Sequence, residues 1–179
     1  MGKESMRGIE FQVSGTVRTS NKSYVVLVDK NSSSYFPIPC AEWHSQLVES
    51  IVSEKVPFDL SNYGMYFSFL SMIKAHDIFL TEAMFVVDRN GSVSCSFDVV
   101  EENELGVKIS RFPLLLTDAV VICSIGQVPI MVYGTAGSDF TFAIDKSVAK
   151  QNVFSFICEE IARSERISAI GEDADEEGT

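Results

Sequence analysis

Two stretches of sequence joined by Asn90-Gly91 constrain the fold more than any other feature of the chain. After the turn, apolar residues occupy every other position, namely Val93, Cys95, Phe97 and Val99. Such alternation is typical of a strand with one buried and one solvated face. Asn-Gly also tolerates the positive φ angles of a type I′ turn. The sequence therefore predicts a long β-hairpin, with strands over residues 78–88 and 92–101.

The segments before this hairpin predict a three-stranded antiparallel meander followed by two helices. Apolar residues alternate over residues 9–17, and further apolar runs cover residues 24–28 and 35–38. From residue 41 the apolar residues recur at helical spacing, which indicates an amphipathic helix. A second helix is predicted to carry one apolar face, formed by Met65, Phe69, Met72 and Ile73.

The segments after the hairpin predict a short strand over residues 106–110 and a nearly all-apolar helix over residues 114–125. Pro113 suits the start of that helix and Gly126 its end. A strand over residues 128–133 and a last helix over residues 152–163 follow. Because helices and strands do not alternate regularly, the order predicts an α+β fold, a single domain with a mainly antiparallel or mixed sheet packed with about four helices.

Length and charge limit the classes of function. A chain of 179 residues suits one domain with a real core. Its 25 acidic residues outnumber its 14 basic residues, which gives a net charge of −11. Such a field repels polyanions, so binding of nucleic acid would need a local basic site or a bridging metal ion.

The distribution of apolar residues also bears on location. No stretch of about 18 apolar residues occurs, and the N-terminus has no long apolar run. The four cysteines are far apart in the sequence and form no Cys-x-x-Cys pair, which makes a zinc or redox motif unlikely in this pattern. We therefore expect a cytoplasmic protein that does not associate with membranes.

Asp118 is the most informative single residue, because it lies within the apolar stretch 114–125. A buried carboxylate is costly unless it is paired, hydrogen-bonded or bound to a metal. One interpretation is that Asp118 or Thr117 caps the helix while residues 114–116 remain extended. The other is that Asp118 is a metal ligand or a general base. Arg111 could contact a phosphate or pair with Asp118, or form a structural ion pair elsewhere.

The remaining polar residues leave several alternatives open. Five acidic residues could converge in space or belong to the solvated surface, namely Glu42, Asp59, Asp77, Glu82 and Asp98. The chain has only two histidines, which excludes a histidine-rich metal site. His44, near the start of the first helix, is either an acid/base group or a surface residue. The glycines form neither a dinucleotide-binding nor a Walker-type motif.

Three patches, together with the order of elements, point to a known family. Residues 35–38, Tyr-Phe-Pro-Ile, precede a helix in the manner of a Leu-Pro-Ile strand, and the long hairpin through Asn90-Gly91 is the second patch. The third patch is Thr117-Asp118-Ala119 followed by residues 126–130, Gly-Gln-Val-Pro-Ile. These patches resemble the bacterial and plant bifunctional nuclease domain family. In that register His44 stands where the family has a glutamate.

The resemblance implies a domain organisation and an activity. It implies an N-terminal extension (1–7), a bifunctional-nuclease-like α+β domain (8–135), a C-terminal extension with a helix (136–167) and an acidic disordered tail (168–179). The implied activity is metal-assisted hydrolysis of phosphodiester bonds in DNA or RNA, with Mg²⁺ or Mn²⁺ as cofactor. Asp118 would then be a metal ligand or base, with Arg111 and Thr117 near the phosphate.

A second hypothesis comes from a different class of protein. The acidic net charge and the replaced family residues favour a catalytically inactive protein-interaction module. Because the family forms dimers, the resemblance implies a homodimer under either hypothesis. The basic residues near Asp118 discriminate between the two, since a nuclease would gather them on one concave face and a module would present an apolar face instead.

Overall fold

The computed structural model describes residues 8–53, 64–90, 92–103, 106–134 and 141–176. Its strands are β1 (Gly8–Arg18), β2 (Ser23–Asp29), β3 (Ser34–Cys40), β4 (Ile78–Val87), β5 (Val93–Asn103), β6 (Gly106–Leu114), β7 (Ile130–Gly134) and β8 (Phe142–Ala143). Its helices are α1 (Glu42–Val52), α2 (Gly64–Ala75), α3 (Leu116–Gly126) and α4 (Val153–Glu176). The predicted α+β class, with a mixed sheet and four helices, is confirmed.

All eight strands belong to one sheet, in the order β6-β5-β4-β7-β1-β2-β3-β8. The predicted meander of β1, β2 and β3 is confirmed, and every neighbouring pair is antiparallel except β4 and β7. Parallel neighbours need a crossover connection. Between β4 and β7 the chain passes through β5 and β6, and α3 then carries it back from β6 to β7. The sheet therefore ends at β6 on one side and at β8 on the other.

Helices cover the two faces of the sheet unequally. The larger core lies under α1, α2 and α3 and includes the strand residues Phe11, Leu27, Phe85 and Phe97. The smaller core lies under α4, whose Val153, Ile157 and Ile161 pack against side chains of β1, β2 and β3. Successive strand residues point to opposite faces. The side of β4, β5 and β6 that faces away from α3 is thus not part of either core.

The long hairpin is confirmed, but its turn differs from the prediction. Strands β4 and β5 pair from Ile78 opposite Glu101 to Val87 opposite Val93. The Asp88 N–H donates to the Ser92 carbonyl over 3.0 Å, so three residues separate the paired ends instead of the two of a type I′ turn. The Asp88 carboxylate also accepts the backbone N–H groups of Asn90 and Ser92. Gly91 itself lies outside the described residues.

Strand β6 is longer than predicted, and α3 begins later. The strand runs to Leu114, with Pro113 opposite Ser96 of β5, so the prediction of Pro113 at a helix start was wrong. Proline is tolerated here because β6 is an edge strand, where a residue whose nitrogen faces outward does not have to donate to a neighbouring strand. Helix α3 then starts at Leu116 and ends where Gln127 adopts a left-handed φ of 54°.

Helix α4 is also longer than predicted. Its backbone continues to Glu176, past the expected end at residue 163, because residues 164–176 contain good helix formers that do not need an apolar face. The prediction of a disordered tail over residues 168–179 stays a prediction, and residues 177–179 lie outside the described part. Within the described ranges, no helix combines the length and the apolar character needed to cross a bilayer.

Candidate functional site

Asp118 lies in the first turn of α3, three residues after the N-cap position. The N-cap residue is Leu115, and no side chain caps the helix, so the prediction that Asp118 or Thr117 is the cap was wrong. A carboxylate in the first turn is nevertheless stabilised by the helix dipole. Of the three leucines expected to be extended, Leu114 ends β6 and Leu116 is already helical.

Tyr66 of α2 fixes the Asp118 carboxylate. Its hydroxyl donates a hydrogen bond of 2.6 Å to Asp118 Oδ1, and Tyr66 is almost completely buried. Burial raises the pKa of Tyr66 well above its ordinary value, and the hydrogen bond to Asp118 and the charge of that carboxylate raise it further. Tyr66 therefore keeps its proton and acts as a donor at all physiological pH values.

His44 of α1 is the third member of this cluster. It is buried, so the alternative that it is a surface residue was wrong. Its Nε2 lies 3.5 Å from Asp118 Oδ1, while neither ring nitrogen makes a hydrogen bond. The ring also stacks on Trp43, with 3.5 Å between the ring centroids. The imidazole and the carboxylate are therefore neighbours at ion-pair distance, and the imidazole nitrogens are buried without a hydrogen bond among the described residues.

The cluster of His44, Tyr66 and Asp118 offers at most two ordinary metal ligands, the carboxylate and the imidazole. In the ranges that the structure describes, no three His, Cys, Asp or Glu side chains come together as a potential metal site. Thr117 is adjacent to Asp118 in the first turn of α3 and is half-buried. The cluster thus brings together one predicted site residue with two partners from other helices.

Arg111 lies on the other side of the sheet. It donates two hydrogen bonds to the carboxylate of Asp98, of 2.7 and 3.1 Å. These bonds and the charge of Arg111 hold the pKa of Asp98 below its ordinary value. Asp98 follows Phe97, which faces the core under α3, so Asp98 and Arg111 face away from α3. Of the alternatives for Arg111, the structural ion pair is therefore the one observed, and the pairing with Asp118 was wrong.

Two of the five dispersed acids do converge, on the face that carries Arg111. Glu82 of β4 is directly opposite Asp98 of β5, next to Arg111, and Tyr133 of β7 hydrogen-bonds to Glu82. Elsewhere, Glu42 lies 3.8 Å from Arg18, and Asp77 occupies a turn with a φ of 53°. Asp59 lies outside the described residues. The four of these acids that the structure describes therefore divide between separate surfaces and do not gather around Asp118.

An apolar groove separates α2 from β6. It has a volume of about 280 Å³, and its walls come from Phe69 and Ile73 of α2 and from Phe112 and Leu114 of β6. Its floor is formed by strand residues that include Phe97 and Val99. Met65 and Met72, predicted for the apolar face of α2, are instead 66% and 54% exposed beside Tyr66 and Ile73, which are buried. Of the side chains that line the groove, Phe112 is the large apolar one that is more than half exposed.

Strand β6 itself is exposed on both faces. Val107 and Ile109 are 65% and 69% exposed on the face away from α3, and Phe112 is 54% exposed on the groove side. Leu115, just after the strand, is 71% exposed. Sequence reasoning missed this surface because Lys108, Ser110 and Arg111 interrupt the apolar pattern of the strand. A shorter strand over residues 106–110 that extends the sheet was expected, with no indication that both of its faces would be exposed.

The basic residues near these surfaces do not converge. Arg111 and Lys108 lie on opposite faces of β6, because an odd number of positions separates them. Lys74 is in the last turn of α2, and Arg89 is in the turn between β4 and β5. The groove has a single basic residue, Lys108, in its lining and is otherwise largely apolar. A nuclease was expected to gather its basic residues on one concave face, and a protein-interaction module was expected to present an apolar face. The groove, with one basic residue in a largely apolar lining, fits the second expectation better.

Compared with models of known protein families and with curated proteins, the chain gives no significant match.

Proposed function

We propose that the chain is a homodimeric protein-interaction module that associates through β6 and the adjoining groove. The observation that carries this proposal is the exposure of β6 on both faces. A strand in a monomer normally buries at least one face. Three of its apolar side chains, Val107, Ile109 and Phe112, are each more than half exposed. Val107 and Ile109 share the face away from α3, and Phe112 adds exposed apolar surface on the groove side. Exposed apolar surface shared by neighbouring side chains marks sites of protein association.

The charge of this surface favours a second copy as the partner. The whole chain carries −11, so two copies repel each other over most of their surface. Strand β6 contains Lys108 and Arg111 but no acidic residue. Two copies that approach through β6 therefore meet at a strand that contributes no acidic side chain to the contact. An interface of ordinary size buries about 800 Å² per partner, which requires neighbouring surface such as α2 as well.

The experiment is a measurement of molar mass by light scattering for the wild type and two variants. Phe112→Glu places a carboxylate at the interface, and we expect it to be monomeric at concentrations where the wild type is a dimer. Val52→Glu changes an exposed apolar residue of α1 that is 44% exposed and outside the groove. We expect this control to remain a dimer. A wild type that stays monomeric at every concentration would refute the proposal.

A second candidate function is phosphodiester hydrolysis at the cluster of His44, Tyr66 and Asp118. The supporting observation is that His44, which stands at the position of the family's glutamate, lies 3.5 Å from Asp118. Asp118 could act as a base or as one ligand of a Mg²⁺ or Mn²⁺ ion that also contacts DNA or RNA, with Thr117 beside it. Arg111 would have no part in that chemistry, since it is bound to Asp98 on the other face.

This second candidate is tested by hydrolysis of single- and double-stranded DNA and RNA with Mg²⁺ or Mn²⁺ and with EDTA. Asp118→Asn and His44→Gln should each abolish metal-dependent cleavage if the cluster is the site. Asp88→Asn, in the turn between β4 and β5, serves as the matched control for the loss of one carboxylate. Cleavage that all three variants retain would come from a contaminant or another site and would exclude the cluster.

A further inference from the structure

We infer that two copies of the chain pair edge to edge through antiparallel β6 strands centred on Ile109. This inference rests on the proposed self-association and specifies its geometry. It would join two eight-stranded sheets into one continuous sheet across a twofold axis. The groove between α2 and β6 in one copy would then lie on the same side of the joined sheet as the groove of its partner.

The position of β6 in the sheet is the first argument. It is an end strand, paired with β5 on one side and with no described strand on the other. Its outward N–H and C=O groups form a template for another strand, and nine residues is long for an unprotected edge. The other edge of the sheet, β8, contains only two residues. Of the two edges, β6 is the one able to support an extended ladder.

Pro113 limits where the pairing can occur. It has no N–H, so a ladder that extends past it loses a donor. Charged residues and proline are the devices that normally protect edge strands. On β6, Pro113 blocks the C-terminal end. Arg111 is already paired with Asp98, and Lys108 is the remaining charged side chain of the strand. Residues 106–112 remain available, and the middle residue of this stretch is Ile109. A symmetric antiparallel ladder over this stretch therefore places the twofold axis at Ile109.

The side chains suit this register. Pairing about Ile109 sets Val107 opposite Arg111 of the partner subunit and Lys108 opposite Ser110 of the partner subunit. No like charges are directly opposite each other, which would be destabilising. Gly106 comes opposite the partner's Phe112, and a Cβ at Gly106 would meet no atom within 4 Å, so the space above this glycine is open to an aromatic ring. An axis at Lys108 would instead set Lys108 opposite the partner's Lys108, two like charges.

Burial of apolar surface supports the same arrangement. Phe79, Val100 and Ile109 form a row across β4, β5 and β6 on the face away from α3. Phe79 and Ile109 are 52% and 69% exposed. In the paired form the two rows meet at the axis and become one apolar strip, where contact between the Ile109 side chains removes surface from water. Arg111 adds no unpaired charge there, because Asp98 neutralises it.

Cysteine cross-linking tests the register directly. Residues directly opposite each other in an antiparallel ladder have Cα atoms about 4.5–5.5 Å apart, which is within the range of a disulfide. We expect Ile109→Cys to form a covalent dimer under mild oxidation, visible by non-reducing electrophoresis and reversed by reductant. Ser110→Cys, one position from the axis, and Met72→Cys, exposed on α2, should give no more cross-linked dimer than the oxidised wild type.

The outcomes separate this inference from the function on which it rests. A monomeric wild type by light scattering would refute self-association itself. A dimeric wild type in which Ile109→Cys does not cross-link, or in which Ser110→Cys or Met72→Cys cross-links instead, would overturn pairing about Ile109 while self-association stands. Ile109→Lys provides an independent check, since it should raise the dimer dissociation constant at least tenfold without changing the unfolding midpoint of the monomer.

Discussion

Asp29 is a buried carboxylate at the end of β2 that accepts hydrogen bonds from residues in and directly after the loop between β2 and β3. It accepts hydrogen bonds from the backbone N–H groups of Asn31 and Ser33 and from the hydroxyls of Ser33 and Ser34. Burial alone would raise the pKa of Asp29, but these hydrogen bonds hold it below its ordinary value. The ionised form therefore stabilises the loop between β2 and β3.

This arrangement predicts a pH-dependent cost for Asp29→Asn. Because the pKa is lower in the folded state, the carboxylate stabilises the fold above about pH 4, and that contribution is lost as the pH falls through the folded pKa. We expect Asp29→Asn to lower the free energy of unfolding by about 1–3 kcal/mol at pH 7. Urea unfolding of both proteins at pH 7 and in acid measures this, and an equal difference at both pH values would contradict it.

Tyr66 and Asp118 should be energetically coupled. Removal of the hydroxyl by Tyr66→Phe takes away the donor that lies 2.6 Å from Asp118 Oδ1. A hydrogen bond to a charged group contributes about 1.5–3 kcal/mol, here reduced because the Asp118 side chain is 26% exposed. A double-mutant cycle with Asp118→Ala, measured by urea unfolding, should give a coupling energy of about 1 kcal/mol. Additive effects would show that the bond has no energetic role.

Asp118 could be singled out from the sequence, but its partners could not. A carboxylate in an apolar stretch is visible in the sequence itself. Tyr66 is 52 positions away and His44 further still, so their contact depends on how α1, α2 and α3 pack. Arg111 shows the same limit. Its pairing with Asp98 follows from the β5–β6 register, which was not predictable once the strand had been ended at residue 110.

At the scale of elements, α4 is held to the sheet by an apolar stripe and by hydrogen bonds of Glu165 to Thr19 and Tyr24. Ile157 is fully buried against the strands, and the Tyr24 hydroxyl donates a 2.6 Å hydrogen bond to Glu165. Burial, the hydrogen bond and the Glu165 charge raise the pKa of Tyr24 to about 12. The half of the sheet that α4 covers is therefore protected without a partner, unlike the half that contains β6.

Ile157→Ala should destabilise the fold without affecting association. Removal of a fully buried branched side chain leaves a cavity and costs about 2–5 kcal/mol. Ser155→Ala, an exposed change on the same helix, should stay within about 0.5 kcal/mol of the wild type. Thermal and urea unfolding give these values, and light scattering gives the mass. Loss of the dimer in Ile157→Ala at full folding would contradict the assignment of the interface to β6.

Elements with strong periodicity were predictable, and elements at the boundary of the fold were not. Strand β5 alternates cleanly because one of its faces is buried, with Cys95, Phe97 and Val99 in the larger core. Strand β6 lacks this signal, since its exposed faces impose no pattern on the sequence, and Pro113 suggested a helix start instead. Helix α4 was ended too early for a related reason, because its second half continues the helix beyond the apolar stripe that identified it.

At the scale of the molecule, the two edges and the two faces of the sheet differ in how much of them is covered by other elements. Helices cover one face and part of the other, and the uncovered part is the end that contains β6. That end has a groove on one side, a row of apolar residues on the other and an open edge between them. A single twofold contact between two β6 strands would pair the open edges and bring the grooves and the apolar rows of the two copies next to each other. We therefore place association at β6 and not at β8.

Hydrogen exchange at increasing protein concentration tests this most directly. The outward amides of residues 106–112 should exchange more slowly as the dimer forms, while those of β8, the opposite edge, should not change. Ile109→Lys should remove the concentration dependence and leave exchange in the core of β4 and β5 unaltered. Exchange in β6 that is the same at all concentrations where the wild type is dimeric would contradict association through this strand.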